Sequence, residues 1–182
     1  MLYIFEFKTK ITDLEIKLSE NCIEEIKIKN PDIKTFKEFN GKRSNQNEQF
    51  LILLGQNDYN RMDHLCSLIN LLDNYFSGKI ADFAKIPVNF SCYGDFTKKI
   101  LFASRSIKYG ETMSYKELAL KAGFEGTYSR ACAGALSINK TPIVIPCHRI
   151  ITSGGKLGGY SGGGGAHFKA KLLSLERRSF SF

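Results

Sequence analysis

Residues 114 to 136 read SYKELALKAGFEGTYSRACAGAL. Ser114 and Glu117 have the spacing of a capping box, in which serine hydroxyl and glutamate carboxylate each satisfy an unpaired helix-start amide. The spacing predicts a short helix to about Lys121, broken by Gly123. After Gly126-Thr127 a second helix opens and carries Arg130-Ala131-Cys132-Ala133-Gly134-Ala135-Leu136. Two short helices across a glycine-containing turn read as a helix-turn-helix. The small side chains of the second helix let its backbone approach another surface closely. That surface is either a packed helix in the same core or a DNA groove.

The flanking segments set the fold class. Upstream, Phe96, Ile100, Ala103 and Ile107 recur at helical spacing, closed by a turn at Tyr109-Gly110. Met62, Leu65, Cys66, Ile69, Leu72 and Phe76 define an earlier helix, with Gly78 where a C-terminal cap falls. His64 and Cys66 there are read as core and surface residues. Before residue 30 the pattern changes to period two. Leu14, Ile16 and Leu18 alternate with Asp13, Glu15 and Lys17, Ile26 and Ile28 alternate with Lys27 and Lys29, and Tyr3, Phe5 and Phe7 suggest a preceding strand. This predicts an antiparallel meander with one wet face, ended by Asn30-Pro31, and an exposed loop over Asn40 to Gln49. The expected class is α+β: an N-terminal sheet-and-helix domain over residues 1–88, then a mostly helical domain over 89–182, with the boundary near Pro87.

The 182 residues are 43% hydrophobic and 24% charged, as in an ordinary globular protein. No apolar run approaches the ~18 residues of a membrane span, and Met1 to Phe7 lacks a basic leader. An intracellular protein is expected. The five cysteines (22, 66, 92, 132 and 147) are odd in number and lack paired spacing, so free thiols are expected and no metal site is predicted. Charge is uneven: residues 1–87 hold 12 Lys and Arg against 13 Asp and Glu, whereas residues 88–182 hold 14 against 5. A net of −1 followed by +9 fits either a polyanion partner or a solvated basic face.

Residues 142 to 151, PIVIPCHRII, set three reactive side chains inside an apolar run. A buried thiol alone is usually a small hydrophobe. Cys147, between a proline and His148-Arg149, has donors and positive charge available to favour thiolate. Lowering its pKa from ~8.5 to below ~6 would raise the thiolate population more than tenfold at pH 7. Cys147 is the candidate nucleophile.

Pro146-Cys147-His148-Arg149, preceded by Asn139 and an apolar strand and followed by Gly159-Tyr160-Ser161-Gly162-Gly163, Leu172-Leu173 and Glu176, resembles the O6-alkylguanine-DNA alkyltransferase family. The likeness runs from about Pro87 to Glu176, roughly half the chain. The upstream Tyr109-Gly110-Glu111-Thr112 and Ser114-Tyr115 segments and the Arg130 helix fall in the family's order. The chain departs from the pattern at Lys140, where the family usually has proline, and over Gly162 to Gly165 with Ala166-His167, which make the loop about two residues longer.

The resemblance implies a role for each matching residue. Cys147 would be the alkyl acceptor, His148 the base acting through a bridging water, and Glu176 the acid that orients the imidazole. Tyr115 would protonate the departing guanine. Arg130 would enter the duplex as a finger from the minor groove, and Ser114, Thr127, Ala131 and Gly134 would meet DNA. Asn139 would be the hinge; Pro142, Tyr160 and Ser161 would bound the substrate pocket, and Arg149 would be structural support. The resemblance further implies a ribonuclease-H-like N-terminal domain and a winged-helix-like C-terminal one. The partner would be double-stranded DNA containing O6-alkylguanine, met by a monomer without cofactor or membrane attachment, in the cytoplasm or a eukaryotic nucleus. The activity would be single-turnover transfer from O6 of guanine, with O4 of thymine as a further candidate substrate. The competing readings are a non-catalytic binder of alkylated DNA, as in alkyltransferase-like proteins that lack the acceptor thiol, and a Cys-His hydrolase.

Overall fold

The computed structural model describes residues 3–9, 11–19, 22–29 and 59–178. The expected stop at Asn30-Pro31 and the loop over residues 40–49 lie outside the described residues. Three N-terminal strands, β1 (Tyr3–Lys8), β2 (Asp13–Leu18) and β3 (Ile23–Lys29), form the expected antiparallel meander in that order. Phe7 faces Leu14, and Ile16 faces Ile26. Because side chains alternate across a sheet, this register gathers Phe7, Leu14, Ile16 and Ile26 on one buried face. The other face carries partly exposed ion pairs, Lys17 with Glu25 at 2.8 Å and Lys29 with Glu15, which fix register more than they stabilise.

Helix α1 (Tyr59–Phe76) buries Leu65, Leu68, Ile69, Leu72, Tyr75 and Phe76 in the core beneath that sheet. It ends in a Schellman motif. Gly78 has φ +74°, and the amides of Gly78 and Lys79 return to the carbonyls of Tyr75 and Asn74 at 3.0 and 2.9 Å. The connector that follows is tied to β3, with Ile23 N–H on the Pro87 carbonyl and Asn89 N–H on the Ile23 carbonyl, both 2.9 Å.

Helix α2 (Asp95–Arg105) ends before Ile107, shorter than the apolar spacing predicts. The Ser106 hydroxyl donates to the Ala103 carbonyl at 2.8 Å and closes the last turn, so buried Ile107 lies beyond the helix. Helix α3 (Tyr115–Lys121) starts with the expected capping box: Glu117 N–H reaches Ser114 Oγ at 3.2 Å and Ser114 N–H reaches the Glu117 carboxylate at 2.7 Å. A single 3₁₀ turn over Gly126–Tyr128 leads into α4 (Ser129–Ser137). Two strands escaped the sequence reading: β4 (Met113–Ser114) pairs in parallel with β5 (Ile150–Ile151). At two residues each they are too short to show a period. Helix α5 (Gly165–Arg178) closes the described chain.

Two buried clusters result, one joining the N-terminal sheet, α1 and α5, the other joining α2, α3 and α4. The 142–151 segment passes between them. Ile143 and Val144 enter the first cluster, while Ile145, Cys147 and Ile150 enter the second. Among the described residues no helix is long and apolar enough to cross a membrane.

A candidate cysteine acceptor site

The apolar run before Cys147 is not a strand, as its composition suggests, but a knot of turns. Asn139 causes this. Its side-chain oxygen accepts the Thr141 amide at 3.0 Å and its side-chain nitrogen donates to the Ile145 carbonyl, also at 3.0 Å, replacing sheet partners with local ones. Ile143 is thereby held at φ +75°, a left-handed conformation costly for a β-branched residue. Cys147 opens a 3₁₀ turn, Cys147–Arg149, and the side-chain nitrogen of Asn139 lies 3.3 Å from its sulfur. Asn139, expected as a hinge, is therefore also a direct donor to the thiol.

Cys147 is 7% exposed and borders a cavity of about 290 Å³ with Tyr115, Ala133, Ser137, Tyr160 and Ser161. On its other side a space of about 360 Å³ is bounded by Pro142, Asn139, Gly163 and strand β3. The structure thus gathers Cys147, Tyr115, Tyr160 and Ser161 around one cavity, while Pro142, expected with them, lines the second space and not the first. Burial pushes the Cys147 thiol up, and the Asn139 hydrogen bond and the Lys169 charge oppose this without reversing it. This corrects the expected low-pKa thiolate: desolvation of the anion outweighs the neighbouring donors. The resting group is a thiol that needs a base.

His148 points into the protein, fully buried. Its Nε2 lies 2.7 Å from Glu176 Oε1, and its buried Nδ1 has no hydrogen-bond partner among the described residues. Since a carboxylate only accepts, Nε2 carries the hydrogen and Nδ1 keeps a lone pair, an assignment made from the network. Burial lowers the His148 pKa against the raising effect of Glu176, so the imidazole rests neutral. Glu176 is also buried. Burial alone would raise its pKa, yet the hydrogen bonds and charge of His148 and Arg149 carry it down to about 2. Arg149 donates from Nε at 2.9 Å and from Nη2 at 3.0 Å to the two carboxylate oxygens, and from Nη1 to the Ile107 carbonyl at 2.7 Å. The Gly110 amide adds a bond at 3.0 Å.

Three participants were not singled out in the sequence. Tyr75 on α1 donates to Glu176 Oε1 at 2.8 Å. Lys169 on α5 is fully buried, with Nζ on the Ile150 carbonyl and, at 3.3 Å, the Gly159 carbonyl. Its signal was available, because Lys169, Leu172, Leu173 and Glu176 share one helical face and a lysine there must find acceptors. The third is the Gly110 amide.

The predicted DNA-facing residues lie apart from the cavity. Thr127, Arg130, Ala131 and Gly134 are exposed around α4, and a side chain added at Gly134 would meet open space. Ser114 is partly exposed at the start of α3. The same α4 helix gives Ala133, Leu136 and Ser137 to the Cys147 cavity, so its two faces join the exposed surface to the sulfur. The Tyr160 hydroxyl is buried without a hydrogen-bond partner among the described residues, and its pKa stands well above the ordinary phenol value because of burial. The extended glycine loop packs on the N-terminal sheet: a Cβ at Gly163 would lie 2.5 Å from the Ile28 carbonyl oxygen. Among the described residues no three His, Cys, Asp or Glu side chains group as a metal site.

Comparison with known proteins bears on this geometry. Residues 95–178 match the family described as 6-O-methylguanine DNA methyltransferase, DNA binding domain. The methylated-DNA--protein-cysteine methyltransferase of Metallosphaera sedula is 42% identical over 109 residues, covering 60% of this chain and 65% of that protein. The Mycobacterium leprae protein of the same name is 41% identical over 109 residues, covering 60% and 63%. The matched stretch thus spans less than two thirds of these relatives. The crystal structure of Mycobacterium tuberculosis O6-methylguanine methyltransferase superposes with a TM-score of 0.71 at 24% identity, covering 100% of this chain and 96% of that one. Mycobacterium tuberculosis OGT in complex with DNA gives 0.69 at 26% identity, covering 96% and 92%. Over residues 95–178 the chain is thus similar to the DNA binding domain of the 6-O-methylguanine DNA methyltransferases, and over about 109 residues to the methylated-DNA--protein-cysteine methyltransferases.

Proposed function

We propose that the protein repairs DNA by direct reversal, taking the alkyl group from O6 of guanine onto Cys147 in a single irreversible turnover. The observation that carries this reading is a buried thiol facing a cavity, followed in sequence by an imidazole whose remaining lone pair is unpartnered and whose other nitrogen is held by Glu176. The alkylated oxygen lies within the base stack, so the nucleotide must leave the duplex, at a cost of a few kcal/mol, before sulfur can reach it. Arg130, exposed near the start of α4, takes the vacated space from the minor groove, while Ser114, Thr127, Ala131 and Gly134 meet the backbone. The extruded base enters the cavity beside Tyr115, Tyr160 and Ser161.

The thiol proton passes to His148 Nδ1, through a water between them, and Glu176 stabilises the imidazolium that forms. Coupling deprotonation to the base suits a thiol whose own pKa is raised. Sulfur attacks the alkyl carbon; the S–C bond forms as the O6–C bond breaks. Tyr115 gives its proton to the guanine ring, so the base leaves without net charge. The Tyr160 hydroxyl, which has no hydrogen-bond partner among the described residues, bonds the bound base. The thioether product offers water no leaving group, which makes the reaction stoichiometric. The same reading extends to O4-alkylthymine, to a monomer acting without a cofactor, and to two domains over residues 1–88 and 89–182 of ribonuclease-H-like and winged-helix-like form. The structural likeness to the alkyltransferases supports that architecture.

Incubation with excess O6-methylguanine duplex tests the reading against its competitors. One guanine restored per protein molecule is expected. Repeated turnover would indicate a hydrolase, and binding without restoration a non-catalytic recogniser.

A further inference from the structure

The carboxylate behind His148 is held from the N-terminal half as well as from the C-terminal one. Tyr75 is wholly buried on α1, and its hydroxyl donates to Glu176 Oε1 at 2.8 Å, the same oxygen that takes the imidazole hydrogen at 2.7 Å. The hydroxyl also lies 3.3 Å from His148 Nε2. A buried phenol usually finds an acceptor, and a core carboxylate 101 residues away in sequence is not a default choice. The ring is held edge-on by neighbours: Phe76 at 5.3 Å, Tyr109 at 5.7 Å, Phe83 at 6.0 Å and the His148 ring at 6.4 Å. Such a cage leaves the hydroxyl little freedom to swing away.

We infer that Tyr75 is a positioning residue of the Cys147 centre, by which the N-terminal half sets the basicity and orientation of His148 through Glu176. The inference rests on the alkyl-transfer reading for its consequence in repair, but its physical content concerns the imidazole alone. Oε1 shares its electron density between Tyr75 and His148, so the phenol weakens the carboxylate's pull on the imidazole hydrogen. With that donor gone, Glu176 holds an imidazolium more tightly, and His148 stays protonated to higher pH. The other groups acting on the imidazole are Glu176 and Lys169 from α5 and Arg149 from its own turn, which also carries Cys147, with Tyr109 beneath the Arg149 guanidinium at 5.7 Å. Of these, Glu176 is the one that loses a bond when the phenol oxygen is removed.

Tyr75→Phe is the informative substitution, since it keeps the ring and leaves Glu176 its bonds from His148, Arg149 and Gly110. Leu72→Ala, equally buried on the same helix, serves as a control that removes packing without touching the carboxylate. Two readouts are taken on the full chain: the His148 titration by ¹⁵N NMR, and the rate of Cys147 benzylation by free benzylguanine across pH. Tyr75→Phe should move the His148 midpoint upward and slow benzylation by roughly tenfold at the acid end, as expected for one lost hydrogen bond to a charged group, with little change at the alkaline end. Leu72→Ala should lower the melting temperature and leave the midpoint in place. A His148 titration unmoved by Tyr75→Phe would overturn the inference, as would an equal movement in the control or equal slowing at all pH values. If wild-type Cys147 is never benzylated, the repair reading fails, and the titration still decides the role of Tyr75.

Discussion

Glu176→Gln removes the negative charge on which Tyr75, His148, Arg149 and the Gly110 amide converge. Two independent routes give the size of the effect. The carboxyl pKa falls from an ordinary 4.5 to about 2, and that displacement corresponds to about 3 kcal/mol of stabilisation at neutral pH. Breaking one side of a buried ion pair typically costs ~3–5 kcal/mol, because the partner charge stays buried, here the guanidinium of Arg149. The amide also turns an NH₂ group toward donors. For a chain of this length each kcal/mol moves the melting temperature by about 2–4 °C, so a loss of roughly 10 °C is expected. Thermal unfolding followed by circular dichroism at pH 7.5 measures it, and the gap from wild type should narrow as pH falls below 4.5. Alkyl transfer should drop at least ~100-fold, because the imidazole loses the partner that fixes its tautomer. A stability loss under ~1 kcal/mol, the range of an exposed pair, would refute the reasoning.

The folded-state pKa values of His148 and Glu176 lie below their ordinary 6.5 and 4.5, so the unfolded chain binds more protons in that range. Their stabilisation is complete above pH 6.5 and is lost as pH falls through the folded values. Cys147 and Tyr75 are shifted upward, so stability should also decline above about pH 9. Denaturant titrations at successive pH values should therefore show a maximum between those limits, and a monotonic trend would contradict it. Arg130→Ala should impair repair of alkylated duplex about tenfold or more while leaving reaction with free benzylguanine within about twofold, since the side chain is exposed on α4 and is not among the residues lining the Cys147 cavity. Rates measured on both substrates check this, and equal losses would count against the finger. Gly163→Ala should cost about 1–3 kcal/mol, because its Cβ would meet the Ile28 carbonyl oxygen at 2.5 Å. An unchanged melting temperature would mean that the loop does not rest on β3.

Much of this was legible in the residue order, for identifiable reasons. Alternation over residues 13–18 and 23–29 marks strands because one sheet face is buried, and Ser114 with Glu117 marks a helix start because the box is local. Cys147, His148 and Glu176 stand out by chemistry and family likeness, and the structure sets the last two 2.7 Å apart. What the sequence concealed depends on long-range contact. Ile143 to Ile145 look like a strand, yet Asn139 captures their backbone and turns them aside. His148 and Arg149 beside Cys147 suggest a stabilised thiolate, yet Arg149 and the Nε2 edge of His148 turn inward to Glu176, and burial dominates at the sulfur. Tyr75 looks like any aromatic on a core helix, because its acceptor lies 101 residues away.

In the proposed reaction one sulfur, Cys147, receives the alkyl group. Intact-protein and peptide mass spectrometry after treatment with benzylguanine tests it most directly. A single benzyl adduct mapping to Cys147, and absent from Cys147→Ala, is the predicted result. An adduct on Cys22, Cys66, Cys92 or Cys132, or none on a folded protein, would contradict it.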